Sequence, residues 1–185
     1  MASTPEHTNL PLPSFDGAVR LLIVCAPYYS AIAANLVAGA RVIAGEAGAT
    51  VDLVEVPGAL EIPPAIAMAA ASGRYDGFVA LGCVIRGETT HYETVCNDSS
   101  RGLMELGLAG HCIGNGILTV ENLAQAAVRA APDGQNKGGG AAAAALHLVA
   151  LSRRWQSRQA RADRRPATDR DPFRIAADLD GPGRQ

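Results

Sequence analysis

Polar residues directly follow an apolar segment near the middle of the chain. Residues 77–85 are apolar with several β-branched side chains, a pattern that predicts a fully buried strand. The chain turns at Arg86 and Gly87, and helical spacing of apolar residues begins near His91. A strand that leads through a turn into a helix leaves backbone N–H groups unpaired, so such a junction attracts anions, above all phosphate. This segment is the predicted active site.

His91 is the residue of this segment best suited to moving a proton near pH 7. The alternative is an ordinary exposed residue at a helix start, but its position beside a polar turn favours proton transfer. The amides of Gly87, Glu88, Thr89 and Thr90, with the Thr89 hydroxyl, are the expected anion donors. We expect the Glu88 carboxylate to face outward, because it would repel a phosphate.

Arg86 is suited either to binding the anion or to fixing the turn by pairing with carboxylates. Nucleotide binding has little support. The chain has no G-x-G-x-x-G fingerprint, and Gly138-Gly139-Gly140 lacks the Lys-Ser/Thr of a phosphate-binding loop.

The expected position of Arg129 along its helix permits two interpretations. We expect it about ten residues into a helix that starts near the site, and therefore ~15 Å along the helix axis. It is then either an ordinary surface residue or a residue that projects into a neighbouring subunit's site. Gln125, one turn earlier, could orient it, and Lys137 in the following loop could also reach across.

Composition limits the class of protein. The formal charge of -2 argues against nucleic acid as the main partner. The four cysteines lack the spacing of a zinc site and are expected to be reduced and mostly buried. Neither a signal peptide nor a membrane span is predicted, so we expect a cytoplasmic protein without membrane partners. Abundant Ala and Gly indicate close packing of helices on a sheet.

Hydrophobic patterns predict an alternation of strands and helices between two polar tails. The predicted strands cover residues 18–26, 50–56, 77–85 and 111–118. Helices are predicted to begin at Ser30, Pro63, His91 and near Gly139. A further helix follows the predicted N-cap Thr119, and the last helix reaches about Trp155. We expect a flexible N-terminal arm over 1–17, one domain over 18–155, and a disordered tail over 156–185.

Alternating strands and helices indicate a parallel sheet covered on both faces, the α/β class. Ligands of such sheets bind beyond the carboxyl ends of the strands. Four segments are therefore expected at one edge: 27–29, 57–61, 86–91 and a turn at 116–119.

Four motifs together resemble one enzyme family. They are residues 57–63 (PGALEIP), 80–91 (ALGCVIRGETTH), 116–119 (GILT) with Gln125 and Arg129, and 136–138 (NKG). Their order and spacing are similar to those of 6,7-dimethyl-8-ribityllumazine synthases, over about residues 19–151. The resemblance implies a flavodoxin-like, three-layer α/β/α sandwich with a central four-stranded parallel sheet.

The resemblance also implies a reaction, the penultimate step of riboflavin biosynthesis. These transferases condense 5-amino-6-(ribitylamino)uracil with 3,4-dihydroxy-2-butanone 4-phosphate and release phosphate and water, without a metal or organic cofactor. By this resemblance His91 transfers protons and Arg129 binds phosphate. The residues matched to substrate-binding positions are Tyr28, Ala59, Leu60, Glu61, Ile62, Val84, Ile85, Gly87, Glu88, Thr89, Thr90, Asn115 and Lys137. Among these, Asn115 and Lys137 match residues of the neighbouring subunit.

The resemblance allows more than one size of assembly and more than one function. The family builds pentamers with active sites between subunits, which stay single, pair as decamers or close into sixty-subunit capsids. Asn115 and the pair Tyr28-Tyr29 favour the smaller assemblies. Leu60 and Asn115 stand where aromatic residues are common, so stacking would depend more on Tyr28. A homologue that binds riboflavin or lumazine with little turnover, or that only forms a shell, is the competing interpretation; the presence of His91 and Arg129 argues against the first.

Overall fold

The structure, a computed structural model, describes the backbone of residues 10–163 and the side chains of residues 10–158. The strands are β1 (Arg20–Cys25), β2 (Thr50–Glu55), β3 (Gly77–Ile85) and β4 (Ile113–Val120). The helices are α1 (Ser30–Glu46), α2 (Ile62–Ala71), α3 (His91–Leu108), α4 (Leu123–Ala130) and α5 (Lys137–Asp163), and a short 3₁₀ turn covers Ala59–Glu61. The chain divides between Leu151 and Ser152 into two compact units, and the first contains the whole sheet.

The four strands form one parallel sheet in the order β2-β1-β3-β4. Helices α1, α4 and α5 cover one face, where Leu36, Ala126 and Leu146 are buried. Helices α2 and α3 cover the other face, where Ile66 and Leu103 are buried. The predicted three-layer α/β/α sandwich with a four-stranded parallel sheet is confirmed.

Local sequence explains most element boundaries. Strand β3 is apolar without alternation because it is buried on both faces. Helix α1 ends before Gly48, which has a φ of +70°, a backbone conformation that glycine adopts at little cost. Pro63 and Pro64 lie in the first turn of α2, where a missing N–H breaks no helical hydrogen bond.

The predicted end of the fourth strand was wrong. Strand β4 continues to Val120, so residues 116–119 lie inside the strand rather than in a turn. The N-cap of α4 is Asn122, whose side chain accepts a hydrogen bond from the Gln125 N–H, and not Thr119. Arg129 is consequently in the last turn of a short helix, about 9 Å along the axis from Leu123.

The two ends of the described chain lie outside the alternating strands and helices. Residues 10–19 contain no helix or strand, and Leu12 and Phe15 pack against the core on the α1 face. Helix α5 begins two residues earlier than expected and continues to Asp163. The rest of the predicted arm (1–9) and tail (164–185) lies outside the described residues. Among the described helices none is long and apolar enough to cross a membrane.

Candidate active site

A cavity of about 430 Å³ opens beyond the carboxyl ends of β1 and β3. The strand order reverses between these two strands, and the crevice at such a reversal is where open α/β sheets bind ligands. Its walls come from the segments after β1 and β2, the end of β3 and the start of α3. Three of the four predicted segments therefore meet there, and the segment 116–119 does not.

Seven of the predicted site residues line this cavity. They are Tyr28, Ala59, Leu60, Glu61, Val84, Ile85 and His91. Glu61 is exposed, and its carboxylate lies so near Gly58 that a Cβ added there would be 2.9 Å from Oε2. The small residue thus leaves room for the acidic side chain at the cavity wall.

Other predicted site residues lie outside the cavity wall. Ile62 is fully buried in the core on the α2 face. Gly87, Glu88, Thr89 and Thr90 form the exposed turn that leads into α3. Within it, the Thr89 hydroxyl accepts a hydrogen bond of 3.4 Å from the backbone N–H of His91.

Asn115, Arg129 and Lys137 do not line the cavity of their own chain either. Asn115 is on β4 opposite Ala80, near the middle of β3, and its side chain accepts the N–H of Ile117. Arg129 is half-buried, and its Nη1 donates to the backbone oxygen of Gln125 at 3.1 Å. The Gln125 side chain instead accepts the N–H of Glu121, so it does not orient Arg129 directly as expected. Lys137 is the exposed first residue of α5.

Arg86 fixes the turn by ion pairs, as one of the two sequence interpretations proposed. Its Nε donates to Glu121 Oε2 at 2.8 Å, and its Nη1 donates to Glu93. The hydrogen bond with Arg86 lowers the pKa of Glu93. The guanidinium also lies over the Tyr92 ring, 4.2 Å from its centroid.

Sequence reasoning missed several wall residues. Tyr29, Pro57 and Gly58 belong to segments expected at the site but were not singled out, whereas Ala26, Cys83 and Val95 were missed. Val95 lies one helical turn after His91, so helix periodicity could have found it. Cys83 was interpreted as a buried thiol, and it is both buried and part of the wall; burial raises its pKa to about 11, which keeps the thiol neutral.

A flavodoxin-like α/β sheet with a cavity at its strand reversal, lined by a histidine, a carboxylate and two tyrosine rings, defines a small-molecule site suited to proton-transfer chemistry. Among the described residues, no group of three or more His, Cys, Asp or Glu side chains is arranged to hold a metal ion.

Comparison with known proteins gives the family. The family model described as 6,7-dimethyl-8-ribityllumazine synthase matches residues 18–153. A protein of that name from Jannaschia sp. (strain CCS1) is 53% identical over 150 residues, which cover 81% of this chain and 84% of the relative. One from Novosphingobium aromaticivorans is 57% identical over 74% of this chain and 98% of its own. One from Azorhizobium caulinodans is 60% identical over 73% and 87%.

The chain therefore belongs to the 6,7-dimethyl-8-ribityllumazine synthase family. It is a transferase of riboflavin biosynthesis that condenses 5-amino-6-(ribitylamino)uracil with 3,4-dihydroxy-2-butanone 4-phosphate.

Proposed function

We propose that the reaction takes place in the cavity beside His91, and that a neighbouring subunit completes the site with Arg129. One observation carries this proposal: His91 lines the cavity, whereas Arg129 of the same chain is in the last turn of α4 and does not line it. A ring of subunits would bring the Arg129 of one chain to the cavity of the next. Asn115 and Lys137 would reach the same neighbouring site.

The pyrimidine lies against Tyr28, and its ribityl chain contacts the 3₁₀ turn Ala59–Glu61, whereas the buried Ile62 supports this turn from the core. Its amine attacks the ketone and forms an imine with loss of water, and phosphate is then eliminated. The ribityl nitrogen attacks the remaining carbonyl carbon and closes the second ring with loss of another water. His91 moves the protons that these steps require. Because two reactants are held in one orientation, much of the acceleration comes from effective molarity, which supplies roughly 7–11 kcal/mol.

The phosphate lies at the turn of Gly87, Glu88, Thr89 and Thr90. Helix α3 begins at His91, and its first backbone N–H groups have no partner within the helix. None of these four side chains is cationic, and the adjacent Arg86 is already paired with Glu93 and Glu121. The guanidinium of a neighbouring Arg129 would supply the missing positive charge and bind the phosphate in a bidentate manner.

We further propose that the protein is a cytoplasmic homo-oligomer built of pentamers, with pairing of pentamers into decamers favoured over larger shells. A head-to-tail interface between identical chains closes into a ring, and each cavity then meets the same neighbouring surface. The native mass measured by light scattering distinguishes a lone chain, a pentamer and a decamer.

Complementation between two variants tests the shared site. Under limiting butanone phosphate, His91→Ala should keep about one hundredth of the wild-type rate and Arg129→Ala about one tenth or less. Chains of the two variants that mix at random in one ring restore both residues at about one quarter of the interfaces, so about a quarter of the wild-type activity should return. The two variants are co-expressed with different tags and the mixed particles are purified through both.

The control is a mixture of separately assembled variant particles, which should show only the sum of the two residual activities while the chains do not exchange. Mixed particles with no more activity than the sum of the two variants would overturn the shared site. A fully active lone chain would overturn it as well.

A further inference from the structure

Arg86 connects three parts of the structure at once. It follows β3 directly, and its backbone N–H donates to the Val120 oxygen at the end of β4. Its side chain pairs with Glu93 in the first turn of α3 and with Glu121 just before α4. Tyr92 of α3 also lies under the guanidinium, so Arg86 contacts α3 through two residues and the segment before α4 through Glu121.

The contacts on the α3 side lie next to the proton-transfer residue. Tyr92 and Glu93 immediately follow His91 in the first turn of the helix. A guanidinium that contacts both of them fixes the rotation of this turn about the helix axis. The direction in which His91 projects into the cavity depends on that rotation.

The contacts on the α4 side lead to Arg129. The backbone N–H of Glu121 donates to Gln125 Oε1 at 3.0 Å, and the backbone oxygen of Gln125 accepts from Arg129 Nη1 at 3.1 Å. Arg86 is therefore connected to Arg129 through Glu121 and Gln125, each of which makes one of its two hydrogen bonds with its side chain and the other with its backbone.

Fold stability alone is a weak reason for this arrangement. The Arg86 side chain is 41% exposed, and ion pairs this exposed contribute little to folding. A planar guanidinium that contacts two carboxylates and a ring sets geometry more than it adds free energy.

We propose that Arg86 is a positioning residue that serves two active sites, holding His91 for the cavity of its own chain and Arg129 for the cavity of the neighbouring chain. This inference rests on the proposed sharing of the site between subunits. It makes Arg86 the physical link between consecutive sites of a ring.

Two isosteric variants separate the halves of this link. Glu93→Gln weakens the α3 side and should lower kcat about threefold to thirtyfold with little change in either KM. Glu121→Gln weakens the α4 side and should raise the KM for the butanone phosphate by a similar factor, with the KM for the pyrimidine within about twofold. Arg86→Lys keeps the charge but loses the fork, so it should show both effects.

Arg101→Gln is the matched control. Arg101 is also an exposed arginine with two carboxylate partners, Asp98 and Glu105, but both are on its own helix. Its kinetic constants should equal those of the wild type. All variants should unfold within a few degrees of the wild type, because ion pairs this exposed contribute little to folding. A purely structural role of Arg86 would instead change the unfolding temperature and leave the kinetic constants unchanged.

A double-variant cycle decides whether the α4 side acts through Arg129. In an Arg129→Ala background, Glu121→Gln should no longer change the KM for the butanone phosphate. If the two factors multiply instead, or if Arg86→Lys changes only the unfolding temperature, the inference is overturned. If Arg129→Ala itself leaves that KM unchanged, the shared site fails and the α4 half fails with it; Glu93→Gln alone then decides the α3 half.

Discussion

The ring of Tyr28 meets the ring of Tyr29 edge to face, with centroids 5.1 Å apart and planes inclined at 69°. Tyr28 is 76% exposed, whereas Tyr29 is half-buried and packs against the core on the α1 face. The exposed ring thus has an anchored neighbour that limits its orientation. Both rings line the cavity, so Tyr28 presents a free face to a ligand there.

Removing the exposed ring should weaken binding of the pyrimidine. Since an aromatic contact contributes about 0.5–1.5 kcal/mol beyond the buried area, Tyr28→Ala should raise the KM for the pyrimidine about tenfold. Tyr28→Phe keeps the ring and should stay within about twofold. Steady-state kinetics with each substrate varied in turn measures this. A larger effect of Tyr28→Ala on the butanone phosphate would place the pyrimidine elsewhere.

Replacing His91 should slow turnover without preventing binding. His91→Ala is expected to lower kcat about 10²-fold, because general acid–base catalysis supplies about that factor and orientation of the two substrates remains. His147→Gln is the control, since His147 is on α5 and does not line the cavity. A full turnover rate in His91→Ala would remove His91 from the mechanism.

Replacing Arg129 should affect the two substrates unequally. Arg129→Ala should raise the KM for the butanone phosphate by ~10-fold or more, because a charge-assisted bidentate bond to phosphate is lost, and leave the KM for the pyrimidine nearly unchanged. Arg129→Lys keeps the charge without the fork and should fall between. Equal effects on both substrates would contradict phosphate binding by Arg129.

The fold could be predicted largely because its two central strands, β1 and β3, are apolar runs buried on both faces. The bounds of β3 and α1 follow from the sequence, since an unbroken apolar run and a 3.6-residue stripe are unambiguous signals at these places. The end of β4 could not be predicted in the same way, because Thr119 and Asn122 are both good N-cap residues and Thr is also common in strands. The alternating burial of β4 decides for a strand that continues to Val120.

The cavity wall was harder to predict than the fold. Parallel topology implies which segments share an edge, but it does not say which side chains near a strand end face the cavity. Cys83 and Val95 illustrate this, since each is apolar enough to belong to the core and each also lines the wall. Arg129 does not line the cavity, but the expected reason was wrong, because α4 begins at Leu123 and places Arg129 about 9 Å rather than ~15 Å along its axis.

Burial of Cys25 predicts a loss of stability at alkaline pH. Burial, and to a lesser extent the charge of Glu55, raises the pKa of its thiol from 9.0 to about 11. Between these values the unfolded chain has released the proton and the folded chain has kept it, so stability is complete below pH 9 and falls as pH rises through 11. Urea unfolding at pH 7.5 and pH 10, at one protein concentration, should show a smaller loss in Cys25→Ala than in the wild type. Equal losses would contradict the raised pKa.

Close contact between α1 and the start of α5 makes any larger residue at Gly138 destabilising. A Cβ at Gly138 would lie 2.0 Å from the backbone oxygen of Leu36, which cannot move without shifting α1, whereas a Cβ at Gly140 would have no neighbour within 4 Å. Overpacking of this kind costs about 1–3 kcal/mol or more, so Gly138→Ala should unfold several degrees below the wild type.

Gly140→Ala provides the matched control, because both glycines are in the first turn of α5. It should be neutral or stabilising by up to about 1 kcal/mol, since alanine loses less backbone entropy than glycine in a helix. Thermal unfolding compares the two variants. If only Gly140→Ala can be recovered as folded protein, this also supports the close contact at Gly138. Equal unfolding temperatures would contradict the close contact. Lys137 directly precedes Gly138, so a displaced start of α5 should also move the Lys137 amine. The KM values for the substrates, measured on the folded Gly138→Ala protein, should then rise.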